Sequence, residues 1–171
     1  MYRLILALVL AAVMASPALA QTVIIVRHAE KAEQSADPVL SDAGQARASA
    51  LAEVLAGAGV SHVFVTPLQR TGLTAAPSAA AVDVGAIAVS LDGGAAAHVA
   101  RLVADVRQVP ADAVVLVVGH SNTVPEIARA LGATDAAAMA DCEYDRLTVL
   151  TLTPTGAHAV TGRYGAASPP C

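Results

Sequence analysis

Tryptophan is absent from this 171-residue chain, phenylalanine occurs once and tyrosine three times. A core must therefore be assembled from Ala, Val and Leu, which bury less area each than an aromatic ring. Lysine is almost as scarce. Lys31 is the single one, and the formal net charge is -4. Such a chain lacks the basic face that non-specific nucleic-acid binding requires. Only two cysteines are present, Cys142 and Cys171, and no Cys–His cluster has zinc-site spacing. Beyond the first twenty residues, no apolar run is long enough to cross a bilayer.

Those first twenty residues read differently from the rest. Arg3 precedes an apolar run over 4–14, and Ala18-Leu19-Ala20 forms a small-x-small site before Gln21. This is the pattern of a secretory signal peptide cleaved after Ala20, leaving 21–171 as one domain. Residues 1–20 carry one arginine and no acid, so cleavage takes the charge to -5. Export implies an oxidising compartment, the periplasm or the exterior. There Cys142 and Cys171 could pair, although sequence alone does not place them within bonding distance. A monomer, not held in a membrane after cleavage, is the default expectation.

Strands and helices alternate along the remaining chain. Apolar runs over 22–26, 63–65 and 114–118 read as buried strands of a parallel sheet, and 86–89 reads as a further short strand. Ser41 can cap a helix carrying Ala46, Ala50, Leu51, Val54 and Leu55, which Gly57 and Gly59 end. A short helix is expected over 70–80, limited or kinked by Pro77. Another over 95–106 turns Val99, Leu102, Val103 and Val106 inward. Thr123 can cap a fourth, with Pro125 in its first turn. Segments 146–152 and 157–164, joined by Pro154-Thr155-Gly156, read as an antiparallel pair. The expected architecture is a three-layer α/β/α sandwich around a mostly parallel mixed sheet.

Two of these strands end in histidine: the first in Arg27-His28, the fourth in Gly119-His120. Open α/β sheets bind ligands beyond their strands' carboxyl ends. The second strand adds Arg70 at the same edge. Arginine donors match phosphoryl oxygens in a fork, and helix N-termini there add backbone N–H groups. The expected partner is a small phosphorylated substrate. His62, His98 and His158 read as surface or packing residues.

Arg27-His28-Ala29-Glu30, Thr66-Pro67-x-x-Arg70-Thr71-x-x-Thr74-Ala75 and Gly119-His120-Ser121-Asn122 resemble, in order and spacing, the histidine phosphatase superfamily, also called phosphoglycerate mutase-like. Leu40-Ser41-Asp42-Ala43-Gly44-Gln45-Ala46 is similar to that family's opening of the first helix. The resemblance implies that His28 attacks phosphorus and forms a phosphohistidine, with Arg27, Arg70 and His120 on the phosphoryl oxygens. It implies no metal and no cofactor. Asn122 and Glu30 are expected substrate contacts, although Glu30 also fits a residue supporting Arg27 or a solvated charge. Ala29 replaces a frequent glycine and is expected to narrow the pocket. Only 49 positions separate Arg70 from His120, too few for a mutase cap, so hydrolysis is favoured over transfer. For the proton donor to the leaving group, Asp92 is the first candidate and Glu126 the second. Glu143 and Asp145 are third. A phosphate-binding module with little turnover is the alternative, and the uncertain acid is what favours it.

Overall fold

The structure, a computed structural model, describes residues 20–171. The expected signal peptide, apart from Ala20, lies outside the described residues. Ten elements follow in order: β1 (Gln21–Arg27), α1 (Asp42–Val54), β2 (Val60–Val65), α2 (Gln69–Ala81), β3 (Ala86–Ala88), α3 (Gly94–Gln108), β4 (Val114–Gly119), α4 (Val124–Ala130), β5 (Arg146–Thr153) and β6 (Gly156–Arg163). The strands form one sheet in the order β3-β2-β4-β1-β5-β6. The first four in that order run parallel, whereas β5 and β6 are antiparallel to their neighbours. The expected three layers are therefore present.

The period-two alternation of β1 explains why both faces are covered. Val23 and Ile25 join Val115, Val117 and the inner stripe of α3 and α4. Ile24 and Val26 join Leu116, Val118 and buried residues of α1 and α2. A strand buried on both faces reads as a continuous apolar run, which is what the sequence of β1 and β4 displays. Edge strand β3 is exposed along its length. Among the described residues, no helix is long and apolar enough to cross a membrane.

Local signals hold with two adjustments. Ser41 caps α1 by accepting the Gly44 N–H at 3.1 Å. A Cβ at Gly44 would lie 2.3 Å from the Glu30 carbonyl oxygen, so glycine is required where α1 meets the turn after β1. Pro77 does not end α2, which continues to Ala81. Thr123 stands at the N-cap of α4 but makes no forward capping bond. Its hydroxyl instead accepts the His120 N–H at 3.0 Å and so holds the histidine turn.

Candidate active site

The register of β1 against β4 places Arg27 opposite Gly119. The next residue of each strand is a histidine, and the His28 N–H donates to the Gly119 carbonyl at 2.9 Å. The two imidazoles consequently meet edge to face, with ring centroids 5.2 Å apart. They line a cavity of about 510 Å³ at the carboxyl edge of the sheet, together with Arg27, Arg70, Asn122 and Tyr144. The four residues singled out on strand and helix ends are thus brought together.

His28 is buried, and its Nδ1 lies 2.8 Å from the Ala29 carbonyl. A carbonyl can only accept, so Nδ1 carries the hydrogen and the lone pair lies on Nε2. Burial, aided by the nearby Arg27 and Arg70 charges, outweighs that hydrogen bond and lowers the His28 pKa to about 4. His120 is lowered to about 3 by burial first and by His28 and Arg70 next. Both rings are therefore neutral at pH 7. The Nε2 of His120 meets the Thr66 hydroxyl at 3.2 Å. A hydroxyl can donate or accept, so this contact leaves the His120 tautomer and charge free to change with a ligand.

Arg27 is 4 % exposed. Its Nη1 donates to the Ala140, Asp141 and Glu143 carbonyls at 3.2, 2.6 and 3.2 Å. Its guanidinium lies 4.1 Å from the centroid of the Tyr144 ring. Arg70, in the first turn of α2, contacts the Ala36 carbonyl at 3.3 Å and Asp37 at 3.8 Å. Asp37 also accepts the Gln69 N–H at 2.8 Å, supplying from a distant loop the cap that α2 lacks locally. Among the described residues, Nε of Arg27 and Nε of Arg70 are buried without a partner. Both arginines line the cavity, and a guanidinium offers forked N–H donors that match the oxygens of a tetrahedral oxyanion.

Six residues considered from the sequence lie outside the cavity lining. Glu30 does not face the cavity. Its carboxylate takes a bidentate bond from Arg47 (2.7–3.0 Å), and Arg47 in turn donates to the Tyr164 carbonyl at 3.0 Å. Its work is to fasten the end of β1 to α1. Ala29 does not narrow the pocket. Its methyl packs with Leu40 and Ala48, and its N–H donates to Thr74 at 2.9 Å. Asp92 lies in the turn before α3, outside the cavity lining. Its carboxylate accepts from the Ser90 hydroxyl at 2.7 Å, as a turn-forming aspartate does. Glu126 pairs with Arg129 at 2.5 Å away from the cavity. Nor are the third candidates free. Glu143 is paired with Arg146 and Arg163 at 2.6 and 3.0 Å. Asp145 is held by Arg163 and Ser168.

Among the lining residues not expected from sequence, one carries an acid. Asp141 is the only carboxylate lining the cavity among the described residues. It accepts from Ser121 at 2.6 Å, and that bond, with Arg27 next, keeps its pKa below the usual value. Its position just before Cys142-Glu143-Tyr144 was the available signal, but it belongs to a loop without periodicity. The same loop carries Cys142, which is disulfide-bonded to Cys171.

A sequence model of the histidine phosphatase superfamily (branch 1) matches residues 23–92. That match includes Arg27, His28 and Arg70 and ends before β4. No curated protein matches the chain in sequence. Among solved structures, the chain is similar to a SixA protein of Nakamurella multipartita (27 % identity, 88 % of this chain and 100 % of that one, TM-score 0.63). A protein histidine phosphatase SixA complexed with tungstate shares the fold (20 % identity, 86 % and 96 %, TM-score 0.63). So does a mycobacterial glucosyl-3-phosphoglycerate phosphatase (16 % identity, 86 % and 100 %, TM-score 0.62). The chain is thus similar in sequence to the histidine phosphatase superfamily over residues 23–92, and it shares the fold of SixA-type phosphatases over most of its length.

Proposed function

We propose that this chain is an exported phosphatase that hydrolyses a phosphomonoester or phosphoramidate through a phosphohistidine on His28. The observation that carries the reading is the fixed tautomer of His28. Its Nδ1–H is committed to the Ala29 carbonyl, and its low pKa keeps the Nε2 lone pair available at neutral pH. Arg27 and Arg70, whose guanidinium groups line the cavity, hold the phosphoryl oxygens. His120 is neutral in the free protein, and a bound phosphate dianion raises its proton affinity so that it donates to the third oxygen.

In the first step Nε2 forms a bond to phosphorus while the bond from phosphorus to the leaving atom breaks. The leaving group takes its electron pair and then a proton from solvent. In the second step water attacks phosphorus and gives up a proton to solvent, the bond to Nε2 breaks with its electron pair returning to nitrogen, and phosphate departs. The side-chain cations supply the charge stabilisation that a metal provides elsewhere, so turnover is expected without one. All four acid candidates lie away from the cavity, and Asp141, which lines it, has a pKa lowered by Ser121 and Arg27 and is a poor proton donor, so substrates with good leaving groups are favoured.

Export is supported by the leader-like composition of residues 1–20 and by the Cys142–Cys171 disulfide, since such bonds persist in oxidising compartments. The test is phosphate release from p-nitrophenyl phosphate and from phosphoramidate, in chelator, by the mature protein and by His28→Ala. Release confined to the wild type supports the reading. Equal release by both would overturn the nucleophile, and phosphate binding without release would make the chain a binding module.

A further inference from the structure

One wall of the cavity belongs to none of the motifs that build its floor. Residues 139–145 have no regular secondary structure. Yet three carbonyls from this wall share the two hydrogens of Nη1 of Arg27, at 3.2, 2.6 and 3.2 Å. Tyr144 stacks on the same guanidinium. The direction in which Arg27 presents its remaining donors is therefore set by a loop, and a loop orients a side chain only if it is itself held.

The holding groups come from the segment after β6. Cys142, between the second and third carbonyls, is bonded to Cys171, 29 residues further along the chain. Ser168 Oγ accepts the Tyr144 and Asp145 N–H groups at 2.8 and 3.0 Å and donates to Asp145 Oδ1 at 2.7 Å. The Ser168 N–H reaches Asp145 Oδ2 at 3.3 Å, and Arg163 reaches Oδ1 at 2.6 Å. This segment thus forms a strap across the outside of the wall. Neither cysteine nor Ser168 lines the cavity.

We infer that the Cys142–Cys171 disulfide and Ser168 are positioning groups of the active site, which fix the 140–144 wall and through it aim Arg27 at the phosphoryl oxygens. The inference rests on the phosphatase reading for its kinetic consequences, but phosphate affinity reads it independently. A wall free to move spreads Arg27 over several rotamers, and the lost preorganisation appears as weaker phosphate binding.

The experiment compares the disulfide-intact mature protein with Cys142→Ser/Cys171→Ser and with disulfide-intact Ser168→Ala. Each is measured for KM on p-nitrophenyl phosphate, for inorganic phosphate affinity by calorimetry, and for its melting curve. Arg27→Ala is placed in the intact and the Cys→Ser backgrounds. The expected result is a roughly tenfold weaker phosphate affinity and higher KM in the Cys→Ser variant, the scale of supporting-residue losses at other sites. Arg27→Ala then loses much less in that background than in the intact protein, as coupled residues do. Ser168→Ala follows in the same direction with a smaller loss. Lowered melting with unchanged KM and affinity would overturn the inference, leaving a bond that only stabilises. An Arg27→Ala loss of equal size in both backgrounds would also overturn it. Should the Cys→Ser variant not fold, Ser168→Ala and the folded wild type reduced with a phosphine decide the question by the same affinity measurement. Absence of turnover in the intact wild type would overturn the phosphatase reading instead, while phosphate affinity still tests the strap.

Discussion

The floor of the cavity is built from strand ends, and its wall is built from a loop. Arg27, His28 and His120 leave β1 and β4 at positions that the parallel register fixes, with Arg27 opposite Gly119. Backbone bonds along two buried strands hold them there. Asp141 and Tyr144 come instead from 139–145, where no ladder exists and where a disulfide, a serine and the Arg27 guanidinium supply the order. A sheet specifies position through pairing that any apolar sequence of the right period achieves. A loop needs dedicated side chains, and here those side chains lie on a separate segment.

This difference accounts for what the sequence disclosed. The floor was legible because each element announced itself: an apolar run, then Arg27-His28 or Gly119-His120. The α/β/α architecture followed from the same runs. The wall was not legible, because its partners are distant and its residues carry no period. Asp141 passed unnoticed, and the Cys142–Cys171 bond could not be assigned without a Cα–Cα distance, which is 5.6 Å. Glu30 misled for a related reason. Its place two residues after His28 suggested the pocket, but the chain turns at Ala29 to pack on Leu40 and Ala48, and the carboxylate swings to Arg47. Asp92 misled because the turn before α3 reaches the cavity with Leu91 and Gly94, not with the aspartate.

The comparison can be broken most sharply at the floor. Arg70→Ala removes a guanidinium with an orphan buried donor and is expected to lower kcat/KM about 10²–10³-fold, the scale of losing one preorganised donor to transition-state charge. Steady-state kinetics on p-nitrophenyl phosphate reads this, and a loss under threefold would remove Arg70 from the site. Glu30→Ala acts on the support of β1. It leaves Arg47, 3 % exposed, without its partner and should destabilise the fold by about 3 kcal/mol. Urea denaturation measures that, and an unchanged midpoint would refute the pairing.

Acid should loosen the floor before the wall. His28 and His120 fall to about 4 and about 3 in the fold, below the ordinary 6.5. The unfolded chain then binds more protons at acid pH, so their contribution is complete above about 6.5 and declines as pH falls toward those values. In Asp145 burial opposes the charge, but bonds from Ser168 and Arg163 win and hold its pKa at about 2. Its contribution is present above about 4 and fades only between there and 2. Melting curves from pH 7 to 3 should therefore show loss from about 6.5 downward, and His120→Asn should flatten it. The smallest effect belongs to Asp92→Asn. The carboxylate is exposed and bonded to Ser90, so kcat should stay within about twofold. A large drop would return Asp92 to the role of acid.

The central claim is that phosphorus passes through Nε2 of His28. The most direct measurement is rapid acid-free quenching of turnover, followed by peptide mass spectrometry of the phosphorylated protein. The account predicts an acid-labile, base-stable phosphate on the peptide containing His28, formed and discharged at the rate of turnover and absent from His28→Ala. Phosphate carried by any other residue, or turnover that proceeds unchanged in His28→Ala, would contradict it.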